Sequence, residues 1–502
     1  MKLKVKDMDI ETGGILVVIL NEEDARKLDL HHEDRIKIKI GKKETTAVID
    51  IAQGKKSVPP GHIGFFEEVL KRLDANPGDE AEIDLAEKPA SVYYIRDKLE
   101  GRRLSNDEIN AIIKDAVLGK LSAIELTYFI GACYTKGMAI NETIALTNAI
   151  VKNGAQLKLD KYPVLDKHCS GGVPGNRTTM LVVPIVAAAG FVIPKTSSRS
   201  ITSPAGTADS MEVFAPVALS VEQMKNVVDK TNGCIVWGGG VNLAAADDKL
   251  IRIRHPLSLD PEGMLLSSIL AKKAAVHATH VLIDIPVGND TKIKTKRHAL
   301  RLKREFTRIG KKLKMKIKVV ITAGNEPVGN GIGPALEARD VLYILQRDAR
   351  RPLDLEHKSV FMATKLLQMA GVRDAGKKVT EILESGKAYE KMKEIIKAQG
   401  GNPSINPDNI HIGKFSYTFN SPKAGIITDV NNFTINKIAR IAGAPKDQGA
   451  GIYIHNRHEG DFIRKGEPIM TIYAESEVKL KYALNILKKI GGIVIDHMLV
   501  TS

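Results

Sequence analysis

One stretch of the sequence, DKHCSGGVPGNRTTM (Asp166–Met180), constrains the fold more than any other. It combines three glycines and a proline with four small hydroxyl or thiol residues, and it carries a lysine, a histidine and an arginine. Glycine allows positive φ angles and close backbone approach, which expose successive N–H groups to an anion. The apolar run LVVPIVAAAG follows at once, and a helix there would add N–H donors and a favourable dipole. The pattern predicts a loop leading into a helix that either cradles an anion or forms a structural glycine turn.

A second loop of similar character, KTSSRSITSPAGTAD, spans Lys195–Asp209. It holds seven serines or threonines with one lysine and one arginine, and it follows the strand-like run GFVIP. Such clusters are commonly solvated loops, but a ligand loop also follows the end of a strand in α/β folds. Two basic, hydroxyl-rich loops in one α/β region favour a site for two phosphate groups.

Composition limits the class of protein. The chain has 502 residues, 43% hydrophobic and 26% charged, as in ordinary globular proteins of two to four domains. A net charge of +15 suits an anionic partner, but 11 Phe, 11 Tyr and 1 Trp are few for stacking on nucleic-acid bases. Three cysteines without a CxxC pair, no signal peptide and no membrane-length apolar run predict a cytoplasmic protein without a membrane partner.

The pattern of predicted secondary structure changes three times along the chain. Strand-like runs such as DRIKIKI fill residues 1–84, with Asn21 as a predicted helix N-cap. Residues 85–160 are predicted to be helical, with capping boxes at Ser105 and Ser122 and a third helix from Asn141. Residues 161–410 alternate strands and helices, and residues 411–502 are rich in strands again. The fold class is therefore α/β, with a helical domain and β-rich regions at both ends.

The stretch LDPEGMLLSSILAKKAA contains a candidate helix with polar residues on it. Pro261 fits its first position, so Asp260 can be explained as an N-cap. Ser268 and Lys272 are four residues apart on one helical face, as surface pairs commonly are. His277 and His280 have no acidic partner at metal-binding spacing, so no metal site is predicted.

The most basic part of the chain runs from Lys292 to Lys318, with thirteen lysines or arginines and one glutamate. Leu302, Phe306, Ile309 and Leu313 form an apolar stripe within it. The pattern favours an amphipathic helix with a solvated basic face over a nucleic-acid contact. Because this stretch supplies most of the surplus charge, the net charge of the chain does not require a nucleic-acid partner.

Four ordered motifs, YIRDKLEGRRLSNDEI, DKHCSGGVPGNRTT, AGTADSMEV and LDPEGMLLSSILAKK, resemble those of the pyrimidine-nucleoside (thymidine) phosphorylases. The resemblance runs from about residue 90 to the C-terminal end. The N-terminal region and the SSRSITSPAGT loop are more similar to the archaeal AMP phosphorylases. These enzymes convert a nucleoside 5′-monophosphate and phosphate into ribose 1,5-bisphosphate and the free base, without a cofactor or metal.

The resemblance implies a fold and an assembly. A helical domain, completed here by about residues 240–278, and a larger α/β domain would flank the active site, and a β-rich C-terminal domain would follow. The family builds dimers, so a homodimer or a larger homo-oligomer is expected. The implied partners are AMP, CMP or UMP and inorganic phosphate.

The resemblance also assigns residues. It makes Asp260 and His168 the catalytic residues: Asp260 matches the proton donor to the base, and His168 matches the histidine that faces the nucleoside. The attacking phosphate would be held by Lys167, Cys169, Ser170 and Thr179, with help from Thr207. The nucleotide would contact Gly172, Ser198, Arg199, Ser200, Ile201, Thr202, Ser203, Thr207, Ser268 and Lys292. Arg199 and its hydroxyl neighbours are expected to take the 5′-phosphate, and Lys272 matches a base-contacting lysine of the thymidine enzymes.

Some residues depart from the family pattern and keep alternatives open. Cys169 replaces the serine of the thymidine enzymes, which removes one hydroxyl donor. Arg252 and Arg254 compete for the place of the pyrimidine-binding arginine, which weakens the thymidine phosphorylase alternative. An anthranilate-type phosphoribosyltransferase is the other alternative, in which Asp247 and Asp248 would serve a magnesium–pyrophosphate group.

Overall fold

The computed structural model describes residues 1–13, 16–200, 203–241, 243–257, 259–490 and 493–496. These residues form two compact units. Unit 1 contains residues 1–153 and 245–265, and unit 2 contains residues 154–244 and 266–502. The predicted Ile201 and Thr202 of the nucleotide contact set lie outside the described residues.

The N-terminal part of unit 1 is a closed six-stranded barrel with the strand order β1-β5-β2-β4-β3-β6. In β3 the sequence RIKIKI alternates, so that Ile36 and Ile38 are buried while Lys37 and Lys39 are exposed. Asn21 caps α1 as predicted, because its side chain accepts a hydrogen bond from the Glu23 N–H group. The elements are β1 (Lys2–Asp7), β2 (Val17–Asn21), α1 (Glu22–Lys27), β3 (Arg35–Ile40), β4 (Lys43–Ala52), β5 (His62–Phe65), α2 (Glu67–Leu73) and β6 (Glu80–Leu85).

Four helices follow in unit 1: α3 (Ala90–Leu99), α4 (Asn106–Val117), α5 (Ala123–Thr135) and α6 (Ile140–Lys152). Both predicted capping boxes are confirmed: Ser105 pairs with Glu108, and Ser122 pairs with Glu125. The third helix begins at Ile140, one residue before the predicted start. Glu125 also accepts hydrogen bonds from the guanidinium of Arg35, which links α5 to the barrel.

The central region alternates strands and helices as predicted. Its elements are β7 (Leu165–Cys169), α7 (Thr178–Ala188), β8 (Ile193–Ser197), α8 (Thr207–Glu212), α9 (Val221–Thr231), β9 (Gly233–Trp237), α10 (Ala245–Arg254), α11 (Glu262–Ala275), β10 (His280–Val287), α12 (Lys296–Lys312) and β11 (Lys316–Ala323). The strands β11, β10 and β7 form a parallel sheet in that order, and β8 pairs in parallel with β9. A parallel bridge between Val164 and Val192 joins the two sets.

The apolar run after the glycine-rich stretch forms the predicted helix, α7, which is buried from Thr178 to Ala187. It packs in the main core of unit 2 with α14 and α16 (Leu353–Met369 and Lys387–Ala398). Pro184 lies inside this helix. A helix that is apolar on all sides is stable only when it is buried, so the sequence of α7 fixes its place in the core.

The remaining elements of unit 2 complete the predicted β-rich end. They are β12 (Gly331–Ile332), α13 (Pro334–Leu345), α14 (Leu353–Met369), α15 (Ala375–Glu384), α16 (Lys387–Ala398), β13 (Phe415–Asn420), β14 (Gly425–Val430), α17 (Asn432–Ile441), β15 (Gly451–Ile454), β16 (Phe462–Ile463), β17 (Pro468–Ala474), α18 (Glu477–Ile490) and β18 (Ile493–Asp496). Two sheets, β12-β15-β17-β13 and β16-β14-β18, share a core with α17 and α18. The predicted fold class is confirmed.

Two details differ from the sequence predictions. In α12 the residues Leu302, Phe306 and Ile309 are buried as expected, but Leu313 is only half-buried because it follows the last turn of the helix. Helix α11 begins at Glu262, one residue after the predicted first position at Pro261. Its first turn closes through a hydrogen bond from the Leu265 N–H group to the Pro261 carbonyl.

Candidate active site

Three loops of unit 2 leave the carboxyl ends of parallel strands. The first loop (residues 170–177) follows β7, the second loop (residues 198–206) follows β8, and residues 288–295 follow β10. Because the strands are parallel, these loops emerge at the same edge of the sheet. Ligands of open α/β sheets bind at this edge, and seven of the described residues assigned from the sequence lie on these loops.

The first loop is built around a buried lysine. Lys167, at 1% exposure, donates a hydrogen bond to Thr178 Oγ1, and Thr178 donates in turn to Asn176 Oδ1 at 3.2 Å. Burial lowers the pKa of Lys167, although Cys169 and Asp284 act in the opposite direction. Thr179, the predicted phosphate ligand, is buried next to Thr178 in the first turn of α7. The lysine and the N-terminal end of α7 therefore face the same small region.

Several buried hydroxyl groups at the carboxyl ends of β7 and β8 have no hydrogen-bond partner among the described residues. Ser170 Oγ is buried without a hydrogen-bond partner among the described residues, and so are Thr196 Oγ1 and Ser197 Oγ at the end of β8. A buried polar group without a partner costs about 1–3 kcal/mol. A ligand oxygen that accepted these hydrogen bonds would remove the cost, so the unpartnered hydroxyls favour polar ligands at the ends of β7 and β8.

Cys169 keeps its thiol. Burial raises its pKa, and the nearby carboxylate of Asp284 adds to the effect. Its Sγ atom accepts a hydrogen bond of 3.5 Å from Asn176 Nδ2. A thiol is a weak hydrogen-bond donor, so Cys169 would be a weaker contact for a phosphate group than a serine at this position.

Gly172 lets the first loop reach the loop after β10. Its φ is +98°, and a Cβ atom there would lie 2.7 Å from Thr291 Cα and 3.0 Å from the Lys292 backbone nitrogen. Any other residue would force the two loops apart. The structure thus places the backbone of Lys292 beside Gly172, two residues that were assigned separately to nucleotide binding.

The described ends of the second loop are held by the carboxylate of Asp209, in the first turn of α8. Its Oδ2 atom accepts hydrogen bonds from the Ser200 and Gly206 N–H groups at 2.7 and 2.8 Å. Gly206 is required here, because a Cβ atom would lie 2.5 Å from the Ser198 carbonyl oxygen. Ser203 contributes to the same turn through a hydrogen bond to the Ala205 carbonyl.

Arg199 is held by protein groups. Its guanidinium donates to both carboxylate oxygens of Glu212, at 2.5 and 2.6 Å, and to Asp209 Oδ1 at 3.2 Å. It also stacks over the ring of Trp237 at 5.0 Å. Arg199, Asp209 and Glu212 line part of a cavity of about 260 Å³ with Ser200 and Lys446. To bind a 5′-phosphate, as the sequence predicts, Arg199 would have to exchange these carboxylates for the ligand.

Three lysines are buried behind the loops. Lys167, Lys195 and Lys273 are 1–4% exposed, and the Lys273 ammonium lies 2.8 Å from the fully buried carboxylate of Asp166. The ammonium of Lys195 lies 4.0 Å from the same carboxylate. Burial and the neighbouring Lys273 hold the pKa of Lys195 well below its ordinary value. Two lysines therefore share the Asp166 carboxylate in this interior, and an anionic ligand near them would compensate further positive charge.

His168 lies among these lysines. Burial, followed by the charges of Lys273, Lys195 and Lys272, holds the pKa of His168 well below the ordinary value of histidine. The imidazole is neutral at physiological pH, so it can orient a ligand through hydrogen bonds but does not supply a proton.

The other assigned residues lie on the following helices. Ser268 is buried on α11, and Lys272 is half-buried one turn later. Asp260 belongs to unit 1, where its carboxylate is 40% exposed and lies 3.7 Å from the guanidinium of the buried Arg254. Arg252, the other candidate for the pyrimidine-binding arginine, is exposed.

The sequence offered Arg177 as a positive charge for an anion, but it did not indicate that this residue joins the two loops. Arg177 donates hydrogen bonds to Thr207 Oγ1 and to the Ala205 carbonyl, both at 3.0 Å, and it pairs with the buried Glu337. Lys273 was not assigned. Lys273 and Asp166 lie at distant sequence positions, so only the three-dimensional fold reveals that they are paired.

The described residues contain no group of three or more His, Cys, Asp or Glu side chains that could hold a metal ion. Asp247 and Asp248, the alternative magnesium ligands, lie in the first turn of α10, and Asp247 is 2% exposed. Among the described helices none is both long and apolar enough to cross a membrane.

Comparison with known families gives the class of this architecture. Residues 92–154 match the helical bundle domain of a glycosyl transferase family, and residues 161–259 match the α/β domain of the same family. Residues 426–493 match the C-terminal domain of pyrimidine nucleoside phosphorylases. The chain is thus similar to glycosyl transferases in its central domains and to nucleoside phosphorylases at its C-terminal end.

Relatives that align over nearly the whole chain identify the protein family. The chain is 44% identical to an AMP phosphorylase of Thermofilum pendens over 97% of this chain and 94% of that protein. It is 44% identical to an AMP phosphorylase of Thermococcus kodakarensis and 43% identical to AMP phosphorylase 1 of Archaeoglobus fulgidus, over 99% and 97% of this chain and 98% and 96% of those proteins. The chain belongs to the AMP phosphorylase family.

A solved structure supports the fold. The anthranilate phosphoribosyltransferase of Thermus thermophilus is similar with a TM-score of 0.50 and 17% identity, over 61% of this chain and 98% of that one. At this identity the likeness concerns the fold alone, so it does not favour the phosphoribosyltransferase alternative.

Proposed function

We propose that this protein is a pentosyltransferase that cleaves nucleoside 5′-monophosphates with inorganic phosphate. AMP is the main substrate and CMP and UMP are further substrates, and the products are ribose 1,5-bisphosphate and the free base. One observation carries the proposal: two basic, hydroxyl-rich loops lie side by side at the ends of parallel strands and are joined by Arg177. The relatives named AMP phosphorylase support the same reaction.

The first loop holds the attacking phosphate. Lys167, the hydroxyl of Ser170 and the start of α7 at Thr179 offer a cation and hydrogen-bond donors in a buried setting. Buried donors that are already oriented stabilise developing charge more than donors in water do. A phosphate oxygen held there attacks C1′ of the ribose while the bond from C1′ to the base nitrogen breaks.

The second loop holds the 5′-phosphate of the nucleotide. Ser198, Ser200 and Ser203 supply hydroxyls, and the loop is already fixed by Asp209, so little ordering is needed on binding. Binding energy from this phosphate, which lies away from the reacting bond, can be used to orient the ribose for attack. A plain nucleoside lacks this group and is therefore a poor substrate.

Asp260 supplies the proton that the leaving base takes up with the electron pair of the broken bond. His168 is neutral and orients the nucleoside, and Ser268 and Lys292 contact the nucleotide. Arg254, 3.7 Å from the Asp260 carboxylate, limits the directions in which that side chain can turn. General acid catalysis of this kind contributes about 10²–10⁴-fold to a rate.

A substrate panel tests the proposal. The purified full chain is incubated with phosphate and with AMP, CMP, UMP, adenosine or thymidine, and both the free base and ribose 1,5-bisphosphate are measured. AMP should be turned over fastest. If thymidine is cleaved faster than every nucleotide, the proposal is wrong. In a separate assay, pyrophosphate release from 5-phosphoribosyl 1-diphosphate that requires magnesium and anthranilate would support the phosphoribosyltransferase alternative.

We also propose that the enzyme works as a homodimer or larger homo-oligomer in the cytoplasm. The three cysteines are all free, which suits a reducing compartment. Helix α5 exposes Ile124 and Tyr128, four residues apart, at 54% and 57%, a surface that a second copy of the chain would cover. Light scattering of the purified protein should give at least twice the mass of one chain.

A further inference from the structure

Arg177 stands at the junction of the two loops. It is the last residue of the first loop and precedes α7, and it is 7% exposed. One terminal nitrogen of its guanidinium donates to Thr207 Oγ1 and the other to the Ala205 carbonyl, each at 3.0 Å. Both acceptors lie where the second loop enters α8. A single side chain thus connects the segment assigned to the attacking phosphate with the segment assigned to the nucleotide.

A third element anchors this arginine. The Nε atom of Arg177 forms an ion pair with Glu337 on α13, a residue that is 1% exposed. Glu337 also accepts hydrogen bonds from Ser210 Oγ at 2.8 Å and from the Gly333 N–H group at 3.3 Å. Ser210 lies on α8, so α8 is tied to α13 both directly and through Arg177. The ion pair fixes the direction in which the guanidinium points.

The guanidinium of Arg177 is oriented by protein groups on two sides, through its terminal nitrogens and through its Nε atom. Lys167 differs, because its ammonium donates to a single threonine hydroxyl that belongs to the same segment of the chain. The geometry therefore distinguishes a lysine that serves the first loop from an arginine that connects two segments of the protein.

We propose that Arg177 is a positioning residue that sets the separation between the attacking phosphate and the ribose of the nucleotide. This inference rests on the proposed function, because it concerns the two ligands of that reaction. Arg177 does not touch either ligand. It holds the first loop at a fixed distance from Thr207, and Glu337 holds Arg177.

The consequence is an effect on the rate that is separate from binding. A misplacement of about 1 Å between reacting groups can cost about 100-fold in rate. Each ligand alone would still find its own loop intact, because Lys167 and Asp209 hold the two loops locally. Loss of the connection should therefore lower kcat and leave the two separate affinities nearly unchanged.

The test is Arg177→Lys, which keeps the positive charge beside Glu337 but removes the forked donors to Thr207 and Ala205. We expect kcat for AMP to fall by about 100-fold. Calorimetric titration should give Kd values for AMP alone and for phosphate alone within about threefold of the parent values. The matched control is Arg347→Lys, a partly buried arginine of unit 2 that pairs with Glu356 at 2.7 Å, and it should retain full kcat.

Three results would overturn the inference. The first is a kcat for Arg177→Lys close to that of the parent. The second is a loss of phosphate or AMP affinity as large as the loss of kcat, which would make Arg177 a direct ligand. The third is an equal loss of kcat in Arg347→Lys, which would indicate general damage to unit 2.

A second variant covers the case in which Arg177→Lys does not fold. Glu337→Gln keeps the shape of the anchor and removes its charge, and it should also lower kcat more than it changes either Kd. Unchanged kcat in a folded Glu337→Gln protein would then overturn the inference. The parent enzyme is assayed in the same series, so failure of the proposed function would appear separately as absent cleavage of every nucleotide.

Discussion

The buried charges around the two ligand loops and the exposed charges of α12 differ in how they are compensated. Three lysines behind the loops are 1–4% exposed, and few carboxylates balance them. Helix α12 carries eight lysines or arginines in seventeen residues, and its polar face is turned to solvent. Burial makes a charge costly unless a partner or a ligand compensates it, whereas water compensates exposed charges. The strongest basic signal in the sequence is therefore not where the chemistry is expected.

Asp260 gives the strongest test of this difference between buried and exposed charges. Its carboxylate is 40% exposed, and yet it is proposed to be catalytic. Asp260→Asn should lower kcat by about 10²–10⁴-fold, since the amide cannot donate an acidic proton to the base. The Kd for AMP should change little. Steady-state kinetics and titration measure both, with Asp107→Asn, an exposed carboxylate of the same unit, as the control. Near-normal turnover would restrict Asp260 to a structural role.

Lys273 should have the largest effect on stability. Lys273→Met leaves the fully buried Asp166 with only Lys195, 4.0 Å away, so the free energy of unfolding should fall by about 3–5 kcal/mol. Denaturant titration measures this change. Lys303→Met on the exposed face of α12 should change it by less than about 0.5 kcal/mol. Adding Asp166→Asn to Lys273→Met should recover part of the lost unfolding free energy. Equal losses in the Lys273 and Lys303 variants would refute the distinction between buried and exposed lysines.

Lys167 tests whether a buried lysine serves the ligand. Lys167→Met should lower kcat/KM for phosphate by about 10²–10³-fold, which is the effect of removing one oriented donor from a buried site. The Kd for AMP in the absence of phosphate should stay close to that of the parent. Initial rates at varied phosphate concentration give the first quantity. If AMP affinity falls as far as phosphate affinity, Lys167 does not distinguish the two ligands.

Asp340 extends the comparison to a buried acid. Its Oδ2 atom accepts hydrogen bonds from the Asn330 and Gly331 N–H groups, and burial raises its pKa to about 7. Between about pH 4 and pH 7 the folded state keeps a proton that the unfolded state loses, so this contribution to stability is present at low pH and is lost as the pH rises through 7. Asp340→Asn should reduce the slope of unfolding free energy against pH by up to about 1.4 kcal/mol per pH unit.

Denaturant titrations of the parent and of Asp340→Asn at several pH values from 4 to 8 check this sign. The asparagine variant should show the flatter fall in unfolding free energy between pH 4 and 7. Identical slopes would mean that Asp340 is charged in the folded state throughout this range.

The basic helix should give the smallest effect. Replacing Lys303, Arg304, Arg308 and Lys312 together by glutamine should leave kcat/KM for AMP within about twofold at physiological salt, where the Debye length is about 8 Å. Kinetics at that ionic strength check the expectation. A tenfold loss of activity, or RNA that copurifies with the parent and not with the variant, would make α12 a functional surface.

The sequence predicted those features that depend on neighbouring residues. The capping boxes at Ser105 and Ser122 and the strand-like run DRIKIKI are local patterns, and each appears in the structure. The partners of Arg199 are also near in sequence, since Glu212 and Asp209 lie on the next helix, but the resemblance had assigned that arginine to the ligand.

Pairs that are distant in the sequence could not be predicted. Arg177 and Glu337 are 160 positions apart, and no periodicity or spacing links them. The same holds for Asp166 and Lys273, whose pairing follows from the packing of α11 behind β7. The roles of Asp260, Ser268 and Lys292 remain predictions, because they come from the family motif and not from contacts with a ligand.

The closed barrel at the start of the chain has a consequence for synthesis. Strand β1 pairs with β5 and β6, so the barrel cannot close until the residue at position 85 has been made. The buried core residues described for the barrel run from Leu3 to Ile83. Since domains generally fold as units during translation, N-terminal first, we expect the barrel to be complete on the ribosome while the ligand loops are still unmade. The nascent chain then carries a folded N-terminal barrel, which has no open sheet edge with which neighbouring chains could pair.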